Sequence, residues 1–222
     1  MQKKNVLITG VSRGIGKAIK EALKASDQYN LILPSRQDMD LTRSENITKY
    51  FNEKKIQVDI LINNAGINIL NNIEDIKQNT VEDMLAINLV APLSLIQSCV
   101  PYMKSQKWGR IVNISSIWGI RSKEYRTLYS ATKFALNGIT KALSRELGEH
   151  NILVNAVCPG YVNTELTNKN ISPAEQDTIK ATIPLKRFAE PAEIAHLIKF
   201  LISEENTYIT GQTIIIDGGF LA

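Results

Sequence analysis

The chain has 222 residues, 44% of them apolar and 22% charged, with 26 Lys plus Arg against 22 Asp plus Glu and a formal net charge of +4. That size and composition suit one globular domain with its own core and exclude disordered, collagen-like and fibrous chains. The small basic excess suits an anionic ligand without establishing one, and no basic stripe with interleaved aromatics marks a nucleic-acid binder.

Cys99 and Cys158 each lie in an apolar run and are expected to be buried, reduced thiols. His150 and His196 are the only histidines, and no Cys/His spacing resembles a metal site. No apolar run approaches the ~20 residues of a membrane span. Asn5-Val6-Leu7-Ile8 is too short for a signal-peptide core and reads as a strand. A cytoplasmic protein with neither membrane nor nucleic-acid partner is expected.

In chain order, Val6–Thr9 reads as a strand that meets a turn at Gly10. Ile15, Ala18, Ile19, Ala22 and Leu23 form the stripe of a helix running to about Ala25. Leu31–Leu33 and Val58–Ile62 are further strands, the latter apolar on both faces as a covered parallel strand requires. Thr80-Val81-Glu82-Asp83 resembles a capping box opening a helix to about Lys104, with a kink at Pro92. Ile111–Ile114 is a strand, Leu128–Gly148 a helix and Leu153–Val157 a strand ending at Pro159-Gly160. Residues 165–190 are polar and read as an irregular, mobile lid. Pro191 opens a helix to about Leu201, and Thr213–Ile216 is the last strand. The alternation predicts a doubly wound, Rossmann-type parallel α/β sheet in one domain over residues 1–222.

Thr9-Gly10-Val11-Ser12-Arg13-Gly14-Ile15-Gly16 lies between the first strand and the first helix. Glycines there permit a tight turn and close backbone approach to a pyrophosphate at the helix N-terminus. Tyr129 and Lys133 are four residues apart on a helix and share one face. A tyrosine of ordinary pKa ~10 exchanges protons poorly near neutrality, and a cation within ~4–6 Å favours its phenolate. Such a pair can give a proton to a carbonyl oxygen.

The spacing Gly-x-x-x-Gly-x-Gly resembles that of the short-chain dehydrogenase/reductase family. The resemblance extends through Asn63-Asn64-Ala65-Gly66, Tyr129-Ser130-Ala131-Thr132-Lys133, Pro159-Gly160-Tyr161-Val162-Asn163-Thr164, and Tyr208-Ile209-Thr210-Gly211-Gln212 followed by Asp217-Gly218-Gly219. In motif detail the chain looks most like the 3-oxoacyl-[acyl-carrier-protein] reductases. The resemblance implies that Tyr129 is the acid/base, that Lys133 lowers its pKa and holds the nicotinamide ribose, and that Ser116 orients the carbonyl. Ser116 lies 13 residues before Tyr129, with Ser115 as its competitor. Asn88 is implied to help hold a water that relays protons to the lysine. Cofactor contacts are implied at Gly10, Ser12, Arg13, Gly14, Ile15, Gly16, Arg36, Asp40, Leu41, Asn64, Ala65, Gly66, Tyr129, Lys133, Pro159, Gly160, Val162 and Thr164.

At the end of the second strand, where NAD-specific members carry an acid, Ser35 is followed by Arg36. Together with Arg13 this favours NADP over NAD, since guanidinium suits a 2′-phosphate; the alternative gives Asp38 the ribose. The chain departs from the family here: the helix between the second strand and Asp40-Leu41-Thr42 is missing, and any third strand would be only a few residues long.

The segment from Ser116 to Tyr129 is expected to line the substrate site. It contains Trp118 and three cations, of which Arg121 and Lys123 are singled out for an anionic substrate. Expected substrates are thus a small or carrier-bound carbonyl compound, either a 3-oxoacyl thioester or a polar, sugar-like anion. Lys107 matches a carrier-docking position of the family, and His150 stands where another is usually arginine. A homo-oligomer, tetramer or dimer, is also implied. A non-catalytic cofactor-binding regulator is the competing class; loss of the tyrosine or lysine would mark it, and both are present.

Overall fold

The structure, a computed structural model, describes residues 3–222. Its strands are β1 (Lys4–Ile8), β2 (Tyr29–Ile32), β3 (Ile60–Asn63), β4 (Gly109–Ile114), β5 (Ile152–Pro159) and β6 (Thr213–Ile216). They form one parallel sheet in the order β2-β1-β3-β4-β5-β6. The order reverses between β1 and β3, and a crevice opens there at the carboxyl ends of the strands.

Alternation along each strand divides the core in two. Val6, Ile8, Ile60, Ile62, Val112, Ile114 and Val157 face α1 (Gly14–Lys24) and α8 (Pro191–Ile202). Leu7, Leu61, Ile111 and Val154 face the opposite side, where α2 (Ser44–Lys54), α4 (Ala91–Gln106) and α5 (Thr127–Leu147) supply Ile47, Phe51, Leu95, Ile96, Met103 and Leu147. Cys99 and Cys158 are free and buried, and burial raises both thiol pKa values.

Between β2 and α2 the chain makes one compact turn. Ser35 donates from its main-chain N–H and its Oγ to Asp38 Oδ2 at 2.9 and 2.6 Å, and Met39 N–H donates to Ser35 O at 3.0 Å. No helix and no strand intervene before Asp40, so β2 is left as an edge of the sheet.

Three local expectations are corrected. The helix expected to start at Thr80 starts two residues earlier: α3 spans Gln78–Leu85, and no side chain caps it. The expected kink at Pro92 is a π turn over Ala86–Val90, in which Ala91 N–H bonds to Ala86 O, five residues back. Residues 165–190 are not irregular throughout. They contain α6 (Glu165–Asn170), capped by the Thr164 hydroxyl, and α7 (Pro173–Thr182), opened by a reciprocal capping box between Ser172 and Glu175. Taken as one stretch, Gln78–Gln106 is long and apolar enough to cross a bilayer by length and composition alone. Met84, Leu95, Ile96, Cys99 and Met103 on it are core residues.

Candidate active site

A cavity of about 820 Å³ fills the crevice, running from the turn after β2 to the N-terminal end of α5. The glycine-rich turn forms its floor. Gly10 has φ +70°, and a Cβ there would lie 2.8 Å from Ala65 Cα. A Cβ on Gly16 would lie 2.1 Å from Gly10 O, so any side chain at position 16 would force the turn apart. Thr9 Oγ1 accepts the main-chain N–H groups of Asn64 and Ala65, and Asn64 Nδ2 donates to Thr9 O and Gly10 O, each at 2.9 Å. These bonds lock the ends of β1 and β3 together. The free N–H groups at the start of α1 face the cavity, and the shape and donors fit a dinucleotide.

At the far end α5 carries Tyr129 and Lys133 on one face. The Lys133 Nζ lies 5.5 Å from the centroid of the Tyr129 ring and donates to Ile114 O at 2.8 Å. Burial lowers the Lys133 pKa from 10.5 to about 8. Burial raises the Tyr129 phenol above 10, against the pull of a hydrogen bond from Ser116 and of the Arg126 charge. Ser116 Oγ accepts from Trp118 N–H at 3.2 Å and stands beside the phenol, whereas Ser115 Oγ donates to Lys133 O. The geometry therefore separates the two serines: one hydroxyl meets Tyr129, the other ties β4 to α5.

A family model described as enoyl-(acyl carrier protein) reductase, of the short-chain dehydrogenase/reductase type, matches residues 4–221. The chain belongs to the short-chain dehydrogenase/reductase family. It is 37% identical to the 3-oxoacyl-[acyl-carrier-protein] reductase FabG of Aquifex aeolicus, over 99% of the chain and 98% of that protein. The structure of ElxO with NADP bound superposes with a TM-score of 0.89 at 33% identity, covering 99% of each chain. A 4-hydroxyisoleucine dehydrogenase mutant complexed with NADH and succinate gives 0.88 at 31%, covering 98% of each. This short-chain dehydrogenase/reductase is thus an NAD(P)-dependent oxidoreductase acting on a carbonyl/alcohol pair.

Within the cavity lie Gly10, Ser12, Arg13, Gly14, Ile15, Gly16, Arg36, Asp40, Leu41, Asn64, Ala65, Gly66, Ser116, Trp118, Tyr129, Lys133, Pro159, Gly160, Val162 and Thr164. Arg36 is exposed, and only a 3.9 Å contact to Asp40 restrains it. Asp38 does not line the cavity; its carboxylate is taken by Ser35. Asn88 is buried beneath the site, with its amide committed to the Ile67 main chain at 2.9 and 2.8 Å. Pro92, four residues on, has no N–H to give to the Asn88 carbonyl.

Arg121 and Lys123 are not part of the cavity; both are exposed on the segment leading to α5. Of the three cations there, the buried one is Arg126. Lys107 and His150 lie at the ends of α4 and of the turn after α5, beside the amino ends of β4 and β5. His150 is separated from Tyr129 by nearly the whole of 21-residue α5, about 30 Å. Lys20, Asn68, Leu166, Asn170 and Ile171 also line the cavity, and no motif in the sequence marks them.

Proposed function

We propose an NADP(H)-dependent reductase that delivers hydride to a ketone, with Tyr129 as the proton donor. The single observation behind it is the convergence of Ser116, Tyr129 and Lys133 at one end of a dinucleotide-sized cavity. When bound, the nicotinamide supplies the hydride. Ser116 donates a hydrogen bond to the substrate oxygen, and Tyr129 Oη passes its proton to that oxygen as negative charge develops. Lys133 favours the phenolate left behind, and the positive charge of oxidised nicotinamide acts in the same direction. Asn88 acts as a positioning residue, and its main-chain carbonyl is the acceptor for a relay water.

NADP is favoured because the end of β2 presents Ser35 and an unencumbered Arg36, with Arg13 and Lys20 on the same side, while Asp38 is turned onto Ser35. A 3-oxoacyl thioester is the first substrate to try, given the FabG relative. The second reading is a small polar carbonyl compound bearing an anion, supported by the polar substrate end and by the neighbour complexed with succinate. Helices α6 and α7 act as the lid.

A cytoplasmic homo-oligomer completes the proposal. Leu85, Val90 and Leu93 on α3–α4 and Phe134 on α5 are exposed although they belong to neighbouring helices. An apolar surface of this kind fits a second copy. Light scattering on Leu93→Lys tests it, with a smaller species expected than for the wild type.

The activity test monitors NADPH absorbance with acetoacetyl thioester, in parallel with NADH. Tyr129→Phe should cost at least a hundredfold in kcat while leaving NADPH affinity within about twofold. Equal rates in the variant would overturn the assignment.

A further inference from the structure

Arg126 occupies the N-cap position of α5, three residues before Tyr129, so helical spacing brings it to the side of the phenol. Only 6% of the residue is exposed, and its guanidinium carbon lies 5.1 Å above the centroid of Trp118. It lines the substrate end of the cavity. Among the described residues no carboxylate lies within ion-pair distance of it, and no protein group accepts a hydrogen bond from its guanidinium. Burial lowers its pKa, and the titratable groups nearest it are the Tyr161 and Tyr129 phenols, neutral near pH 7.

The chain's other buried arginine is held differently, by the main chain, although its Nε is left without a partner. Arg110 donates to three main-chain carbonyls, of Gly109, Asn151 and Asn206, at 2.8, 3.2 and 3.1 Å. None of the Arg126 nitrogens is sealed from solvent: its free donors open into the cavity, and a ligand that displaces water from them has to bring its own oxygens, as an anion does. The N-terminal end of α5 adds partial positive charge on the same side.

We propose that Arg126 is the specificity-determining residue for substrate and takes a carboxylate carried a few bonds from the reacting carbonyl. The proposal rests on the reductase reading of this cavity. A single negative charge is the match: among the described residues the cavity's other lining cations, Arg13, Lys20 and Arg36, belong to α1 and to the turns after β1 and β2, and Lys133 beside Arg126 is committed to Ile114 O. The planar fork of the guanidinium donates two parallel hydrogen bonds to a carboxylate. The facing aromatic wall is rigid: Trp118 meets Tyr161 and Phe220 edge-on at 6.1 and 6.3 Å, and Tyr161 stacks on Phe188 at 5.3 Å. Trp118 and Tyr161 of this cluster line the cavity and offer apolar surface to the stem of a short acid. The spacing of Arg126 and Tyr129, ~5–6 Å between Cβ atoms at i, i+3, suits 3-oxo to 5-oxo acids.

The experiment compares acetoacetate and 4-oxopentanoate with their methyl esters, monitored by NADPH absorbance, in wild type, Arg126→Gln and Arg126→Lys. In parallel, succinate is titrated calorimetrically into each protein loaded with NADP. The wild type is expected to prefer the acids in kcat/KM by tenfold or more, the preference to vanish in Arg126→Gln and to persist in part in Arg126→Lys. Succinate binding should weaken at least tenfold in Arg126→Gln. An acid-to-ester ratio that is near one in the wild type, or unchanged in Arg126→Gln, overturns the proposal and leaves the reductase reading standing. If neither acid nor ester turns over, the reductase reading suffers and succinate decides: binding lost with Arg126 supports the receptor, and binding absent or indifferent to Arg126 overturns it. Melting temperature and NADP affinity verify that the glutamine variant is folded; if it is not, the lysine variant carries the comparison.

Discussion

Lys133 donates its Nζ proton to the carbonyl oxygen of Ile114 at 2.8 Å, and its ammonium has no carboxylate partner among the described residues. The cation is buried for chemistry and at a cost to the fold. Its pKa falls from 10.5 in the unfolded chain to about 8 in the folded one. Below about pH 8 both states are protonated and the cost is fully present. Between 8 and 10.5 the unfolded chain holds the extra proton, so the cost is relieved as pH rises. Lys133→Met should abolish activity yet raise the stability of the cofactor-free protein at pH 7 by up to about 3 kcal/mol. Urea denaturation at pH 7 and 9.5 checks it: the gap between variant and wild type should narrow at the higher pH. A variant less stable than wild type at pH 7 would refute this account.

The adjacent serines should part company under mutation. Ser116→Ala removes the hydroxyl beside Tyr129 and should lower kcat by about tenfold to a thousandfold, with little change in melting temperature. Ser115→Ala removes the tie to Lys133 O and should lower stability by about 1 kcal/mol while sparing most of kcat. Steady-state kinetics beside thermal melts on both variants decide the matter, and the reverse pattern would exchange their roles.

Arg36 offers a clean reading of cofactor choice because its own contacts are slight. Arg36→Ala should weaken NADPH binding by about ten- to a hundredfold and leave NADH binding almost unchanged. Fluorescence titration of the bound nicotinamide measures both. Rising salt should erode the NADPH advantage in the wild type, since the site is open to solvent.

Gly16→Ala brings a methyl group against Gly10 O at a separation no contact tolerates. Loss of detectable cofactor binding is expected, along with a fall of several degrees in melting temperature.

The periodic elements were legible because their apolar residues recur at the right spacing: the stripe of α1 and the run Thr213–Ile216 need no tertiary context. Helix α2 was not legible. Its core side consists mainly of Ile47 and Phe51 in an otherwise polar run, and so thin a stripe carries little signal. For α7 a signal existed in Ser172-Pro173-Ala174-Glu175, a cap, a first-turn proline and a reciprocating acid, but the polar surroundings masked it. The cavity end of the site could be read from motif spacing. Arg126 could not, since Arg121, Lys123 and Arg126 look alike along the chain and only the start of α5 decides which one is carried inward.

The π turn before Pro92 sets the heading of the whole helical stretch. One additional residue there changes the angular phase between α3 on one side and α4 on the other. Removing Leu89, for example, would leave a smoother helix but swing α3 by about 100° around the axis relative to α4. Met84 would leave the core, and the Asn88 amide would lose Ile67. The local irregularity thus works as a phase adjuster, letting one continuous helix serve the interior, the loop above the cavity and the outer apolar face at three different headings.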